Sequence, residues 1–226
     1  MGRVEGPKKE GSVSKRVRWA GLICIGLSLA GCQLFGPPGP QVLYEERFSS
    51  AENNPWWTGE QEGYRIWIAE GKYQWEVQPN MVPGVRCPSA GSFEDFVLTV
   101  EVEHRGGIPN KSGSGVIFRS TDWNNYYVFV ISPTGTFRVR KVVGGTWTTL
   151  KDWTASPAIV QGVGVNRLTV IAVGPSLTFR VNDQEVYQTT DASLTGGVIG
   201  LYAVSYTGNE VMRIAFDNIV VASPAP

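Results

Sequence analysis

Tryptophan is the residue whose number and placement in this chain point to chemistry. Of eight tryptophans all but Trp19 follow Cys32, at Trp56, Trp57, Trp67, Trp75, Trp123, Trp147 and Trp153. An indole offers a flat apolar face and one N–H, and such a face stacks on the C–H face of a sugar ring. Trp123 stands in Thr121-Asp122-Trp123-Asn124-Asn125, a polar turn where a core residue is out of place, and Trp56-Trp57 follows the turn residues Asn53-Asn54-Pro55. With Trp147, these residues predict aromatic contacts at one rim, to which Arg119 is expected to add hydrogen bonds to ring hydroxyls. Trp67 and Trp75 fall inside alternating runs and are expected in the core. For each of them the competing reading is burial between sheets.

Acid–base chemistry is harder to place. Cleaving a glycosidic bond takes two carboxyl groups, one on each side of it. Glu101 and Glu103 stand two apart, so on a strand they point the same way, and Gly106 supplies no third acid. Solubilising an exposed face is the simpler role. His104 is the single histidine, so a Ser-His-Asp relay would rest on it alone. No His and Cys grouping has zinc spacing, and no phosphate loop or dinucleotide fingerprint is present. Cys87 lies beside Pro88 with no adjacent base, and is expected to be a partly buried thiol.

The elements that must hold these side chains alternate with period two. In Phe96 to His104 the residues Phe96, Leu98, Val100 and Val102 share one face while Thr99, Glu101 and Glu103 share the other. Similar runs cover Tyr64 to Ala69, Lys72 to Val77, Gly115 to Ser120, Tyr126 to Ser132, Thr136 to Val143, Arg167 to Val173, Leu177 to Asn182, Glu185 to Thr189, Val198 to Val204 and Val211 to Val221. Turn residues such as Glu70-Gly71, Gly144-Gly145 and Asn182-Asp183 separate them. No stretch after Cys32 keeps a helical period over ten or more residues. The pattern predicts an almost helix-free sandwich of about 11 to 14 antiparallel strands in two sheets.

Ahead of the strands, Arg3, Lys8, Lys9, Lys15, Arg16 and Arg18 form a basic segment, followed by the apolar run Ala20 to Ala30. That run is the length of a secretory signal and short of the roughly 20 residues that span a bilayer. Leu29-Ala30-Gly31-Cys32 resembles the lipobox of bacterial lipoproteins, which implies cleavage before Cys32 and lipidation of its thiol. The resemblance implies residues 1–31 as a signal peptide and 32–41 as a lipidated Gly/Pro tether, ahead of one expected domain over 42–221 and a short Pro-rich tail over 222–226. The other readings are an ordinary signal peptide that contains a cysteine and an uncleaved membrane anchor. The expected location is the cell envelope, anchored to the membrane and outside the cytoplasm. Cleavage removes six basic and two acidic residues from 20 of each, leaving a net charge of −4. An acidic surface argues against nucleic acid, whose phosphates need a basic stripe. Cys24 leaves with the signal and Cys32 carries lipid, so Cys87 has no partner for an intrachain disulfide.

The order of the elements adds a resemblance. Phe93-Glu94-Asp95-Phe96, Gly115-Val116-Ile117-Phe118-Arg119, Asn125-Tyr126-Tyr127-Val128-Phe129, Asn166-Arg167-Leu168, Val181-Asn182-Asp183 and Phe216-Asp217-Asn218 are similar to the concanavalin A-like jelly rolls. The likeness covers roughly Val42 to Val221, and the laminin-G-like and 3-keto-disaccharide hydrolase-like modules of bacterial surface proteins are the nearest in kind. It implies an all-β, two-sheet antiparallel jelly-roll sandwich. Function stays open, because lectins, glycosidases and adhesion modules share this fold. Glu101 and Glu103 resemble in part the E-x-D-x-x-E of the family 16 glucanases. The hydrolase-like modules pair an N-S-G-x-x-x-R strand with a Y-E-V-Q-type strand. Lys111-Ser112-Gly113 and Arg119 match the first loosely, while Tyr126-Tyr127-Val128-Phe129 lacks the acid and the amide of the second. Binding of a polysaccharide or glycoprotein without catalysis is therefore favoured. The alternatives are a glycoside-active hydrolase of the 3-keto-disaccharide type, centred on Arg119 with Glu101 or Glu103, and a scaffold lipoprotein without a ligand. Glu45-Glu46 and Asp217-Asn218 resemble the terminal acidic pairs with which many jelly rolls clasp a structural Ca²⁺, which implies an ion on Glu46 and Asp217. The other reading of these residues is a solvated edge with a turn-capping aspartate. No further cofactor is expected, and the protein is expected to be a monomer.

Overall fold

The computed structural model describes residues 39–107, 112–206 and 210–225. The expected signal peptide, Cys32 and Lys111 lie outside the described residues. Fifteen strands follow one another: β1 (Val42–Glu46), β2 (Gly59–Gln61), β3 (Tyr64–Ala69), β4 (Lys72–Val77), β5 (Gly84–Arg86), β6 (Phe96–Gly106), β7 (Gly113–Asp122), β8 (Asn125–Ser132), β9 (Thr136–Val143), β10 (Thr146–Ala155), β11 (Gly164–Val173), β12 (Ser176–Val181), β13 (Gln184–Thr190), β14 (Val198–Val204) and β15 (Met212–Ala222). One 3-10 turn, Pro88–Ala90, is the only helical element among the described residues. The count exceeds the expected range by little: β2 and β5 are three residues long, too short to show alternation.

The strands form two antiparallel sheets. A nine-stranded sheet has the order β13-β12-β11-β6-β15-β4-β3-β2, with β1 also pairing β15, and a six-stranded sheet runs β10-β9-β8-β7-β14-β5. The first and last strands are neighbours, Glu46 facing Ile219.

The core sits between the sheets. From β6, Phe96, Leu98, Val100 and Val102 point inward, each 1% exposed or less. Phe118, Tyr127, Phe129 and Leu201 meet them from the six-stranded sheet. Each such side chain taken from water contributes about 1.5–3 kcal/mol before the entropy of ordering is set against it.

The six-stranded sheet departs from simple alternation. Its outward residues Ile117, Tyr126, Val128, Val130, Val142, Tyr202 and Val204 are also buried and form a second apolar cluster, with Trp153 and Tyr206 packed against it. Cross-strand neighbours Tyr126 and Val142, Ile117 and Val128, and Gly115 and Tyr202 bring these residues onto one face. This sheet therefore has two apolar faces, one in the core and one outside it.

Candidate functional site

The outer face of the six-stranded sheet carries most of the surface tryptophan, and two turns hold it in place. Asp122, at the end of β7, accepts hydrogen bonds from the Asn124 amide at 2.6 Å and from Asn125 Nδ2 at 3.1 and 3.0 Å. Those bonds, first the one from Asn125, hold its carboxyl below the usual range. Asn125 Oδ1 then accepts from the Gly144 amide at 3.0 Å, and the Gly145 amide donates to the Asn124 carbonyl at 3.0 Å. Gly144 and Gly145 have φ of +56° and +77°, the left-handed region that glycine enters without a Cβ penalty. The β7–β8 and β9–β10 turns are thereby tied together.

That tie aligns three rings. Tyr126 meets Trp123 edge-to-face at 6.2 Å and Trp147 edge-to-face at 5.6 Å. An arginine flanks each end: the Arg86 guanidinium lies 5.6 Å from the Trp123 ring, and that of Arg140 lies 3.9 Å from the Trp147 ring. Beyond Trp123 a cleft of about 330 Å³ opens, with Trp57, Gln61, Tyr64 and Arg86 in its walls. Arg86 is fixed there by Nη2 donating to the Ser120 and Thr121 carbonyls at 3.3 and 2.7 Å.

Trp123 lies against Gly84, where an added Cβ would stand 3.1 Å from two indole carbons. Gly84→Val should therefore lift the ring. The expected result is a changed near-ultraviolet tryptophan signal, with the melting temperature moving by a few degrees at most.

The residues expected to bind divide in two. Trp57, Trp123 and Trp147 are 41%, 51% and 38% exposed, and Trp57 and Trp123 share the cleft. Trp56 is instead a core residue: it is buried against Phe48 and Tyr73, and its Nε1 donates to the Tyr44 hydroxyl at 2.9 Å. Arg119 needs the same correction. It is 1% exposed, Nε and Nη2 donate to the Glu94 carbonyl at 3.1 and 2.8 Å, and Nη1 donates to the Leu194 carbonyl at 3.2 Å. Its guanidinium clamps two loops and does not reach the outer face. Trp75 is core as expected, whereas Trp67 is only half-buried, with the Arg65 guanidinium 4.9 Å from its ring. Cys87 is wholly rather than partly buried.

The acids lie elsewhere. Glu101 and Glu103 face outward from β6 on the nine-stranded sheet, so the whole sandwich separates them from the aromatic row. Glu101 accepts from Asn218 Nδ2 at 2.9 Å, and Glu103 pairs with Lys72 at 2.7 Å and Arg105 at 3.0 Å. Burial alone would raise the Glu103 pKa, but those two cations hold it below the usual range. Glu46 does not suit the expected calcium. Its two oxygens accept from the Phe48 amide at 2.6 Å and Asn54 Nδ2 at 3.1 Å, while Asp217 accepts from the Asn218 amide at 2.7 Å. Among the described residues no group of three His, Cys, Asp or Glu side chains converges. Glu46 thus ties the end of β1 to the loop that follows it, and Asp217 sits at a bulge within β15 where the register shifts, so the two do not form an oxygen cage for Ca²⁺.

Sequence reasoning missed Tyr126, Arg86, Arg138 and Arg140. For all but Arg86 a signal existed. Tyr126 to Ile131 is apolar at every position, which marks a strand covered on both faces, and Arg138 and Arg140 alternate with the core residues Phe137 and Val139.

The two antiparallel sheets and the structures on which they superpose make the fold a concanavalin A-like jelly-roll sandwich. Residues 50–222 match the 3-keto-alpha-glucoside-1,2-lyase-like domain family, and the chain belongs to that family. The sandwich superposes on the carbohydrate binding module CBM66 from Bacillus subtilis with a TM-score of 0.54 and 17% identity, covering 82% of this chain and 96% of that one. It superposes on the beta-glucanase of Bacillus licheniformis with a TM-score of 0.59 and 11% identity, covering 84% and 100%. At such identities the likeness is one of fold. A TPR repeat-containing protein of Treponema pallidum (strain Nichols) is 32% identical over 90 residues, which is 38% of this chain. The chain spans 11% of the length of that curated relative.

Proposed function

We propose that this protein is a lipid-anchored protein of the cell envelope that binds a polysaccharide or glycoprotein glycan without cleaving it. The observation that carries the reading is the row Trp123, Tyr126 and Trp147, held by two joined turns and flanked by Arg86 and Arg140, on the face opposite Glu101 and Glu103. Indole faces supply stacking, guanidinium groups supply donors, and the paired acids of a glycosidase do not face them. The superposed carbohydrate binding module supports the same reading. The anchor rests on Leu29-Ala30-Gly31-Cys32, and Cys32→Ala is expected to abolish incorporation of labelled palmitate.

A glycan array and a reducing-sugar assay on the full chain in mild detergent test the binding role. Trp123→Ala should weaken retention about tenfold, equivalent to about 1–2 kcal/mol, and leave the melting temperature nearly unchanged. A steep fall in melting temperature would instead make Trp123 a folding residue. The lyase-like family description and the beta-glucanase fold support a second reading, cleavage of a modified glycoside. Release of sugar from the array hits would decide for that reading.

A further inference from the structure

Arg140 is a guanidinium without a counter-ion on the aromatic face. It stands on β9 with Tyr126, Tyr202 and Tyr206 around it. Among the described residues it makes no hydrogen bond and no ion pair, and its Nε is buried without an acceptor. The internal segments outside the described residues, 108–111 and 207–209, contain no acidic residue. Arg86 Nε and Arg138 Nε are likewise buried without a hydrogen bond, but each of these two arginines has partners elsewhere on its guanidinium or an acid close by. Arg138 has Nε 3.3 Å from Asp152 Oδ1 and donates from Nη1 to the Tyr206 hydroxyl at 3.3 Å. Arg86 donates to two backbone carbonyls, and the Asp122 carboxylate feels its charge.

The Trp147 ring offsets part of the cost of burying Arg140, but a half-buried cation with no counter-ion gains further from a negative charge. Burial, and then repulsion from Arg138, already push the Arg140 pKa down. With Nε closed off, the Nη side of the fork is left to meet a ligand, and it matches the two coplanar oxygens of a carboxylate. The same ligand must offer ring C–H faces to Trp147, which lies against Arg140. A group that joins a sugar ring to a carboxylate is a uronic acid. We propose that this face takes a uronate-bearing polysaccharide, its carboxylate on Arg140 and its rings on Trp147 and Trp123. The proposal rests on the glycan-binding reading and adds the charge of the ligand to it.

The test measures retention of the full chain, in mild detergent, on immobilised polygalacturonate and alginate, on their carboxyl-reduced forms, on dextran sulfate and on a neutral β-glucan. Carboxyl reduction keeps the rings and removes the charge. We expect the uronates to be bound about tenfold more tightly than their reduced forms, a preference that weakens as salt rises. Arg140→Gln should erase the preference and Arg140→Lys keep part of it, because lysine keeps the charge without the fork. If Arg140→Gln does not fold, the comparison of native with reduced polymers on the unaltered protein decides alone. Equal binding of native and reduced polymers, or an unchanged preference in a folded Arg140→Gln protein, would overturn the uronate assignment and leave glycan binding standing. Dextran sulfate bound as well as the uronates, with the same dependence on Arg140, would overturn the carboxylate in favour of any polyanion. Retention on none of the polymers would overturn the uronate assignment, and the glycan array then decides separately whether glycan binding stands.

Discussion

Trp56→Ala is expected to destabilise the protein by about 3–5 kcal/mol, the usual range for truncating a buried tryptophan, while Trp57→Ala one position away should change stability little. Trp56 is 2% exposed and closes an aromatic cluster in which Phe48 and Tyr73 stack at 4.9 Å. Its removal opens a cavity and takes from the Tyr44 hydroxyl the N–H that it accepts. Tyr44 is itself half-buried, and burial has pushed its pKa up, so that oxygen has little water to turn to. Trp57 packs its ring near Gly59 and edge-to-face on Tyr64 at 6.3 Å, with much of the indole in solvent. For a domain of this size the Trp56 effect corresponds to a melting temperature lower by roughly 6–20 °C. Chemical denaturation of both variants checks it, and equal losses in the two would mean that the neighbours share one environment.

That pair also marks where sequence reading stops. Asn53-Asn54-Pro55 announces a turn, and Asn54 Oδ1 does accept from the Trp56 amide at 3.0 Å, but a turn does not say which of two successive tryptophans goes inward. Strands were more legible, because alternation is local: β3 and β4 begin and end at the residues where the period-two runs do. Arg119 shows how the same rule fails. It has φ of +48° at the point where β7 and β8 lose register between Phe118 and Asp122, so counting outward and inward from Phe118 gives the wrong side. The aromatic face was half legible. Tyr126, Val128 and Val130 announce a second covered side, but Trp147 and Trp153 reach it from β10, and the tie between two distant turns has no local signature.

Acid should weaken this fold through one residue before the carboxylates begin to matter. His104 is 2% exposed, its Nε2 shares a hydrogen bond of 2.8 Å with the Ser114 hydroxyl, and its Nδ1 has no partner among the described residues. Burial pushes its pKa down from 6.5 to about 4. In the native state the ring therefore stays neutral while the unfolded chain takes up a proton below about pH 6.5, so the unfolded state binds more protons and stability falls with pH. The loss begins near pH 6.5 and is complete near pH 4, at about 1.4 kcal/mol for each pH unit of that window, or about 3 kcal/mol in all. Glu103 and Asp191 also have lowered pKa values, where cations and hydroxyls outweigh the effect of burial, but as carboxylates they act at lower pH. Burial raises Asp217, which opposes the trend, and it does so equally in any His104 variant. Urea unfolding of the native protein and of His104→Gln across this range isolates the histidine, since every shared group cancels in the difference. The variant will start less stable at pH 7, because glutamine fills the imidazole's place imperfectly beside Ser114, yet its stability should decline less between pH 6.5 and pH 4. Parallel curves for the two proteins would mean that His104 takes up its proton in the native state as readily as in the unfolded chain, and that the burial drawn around it is wrong.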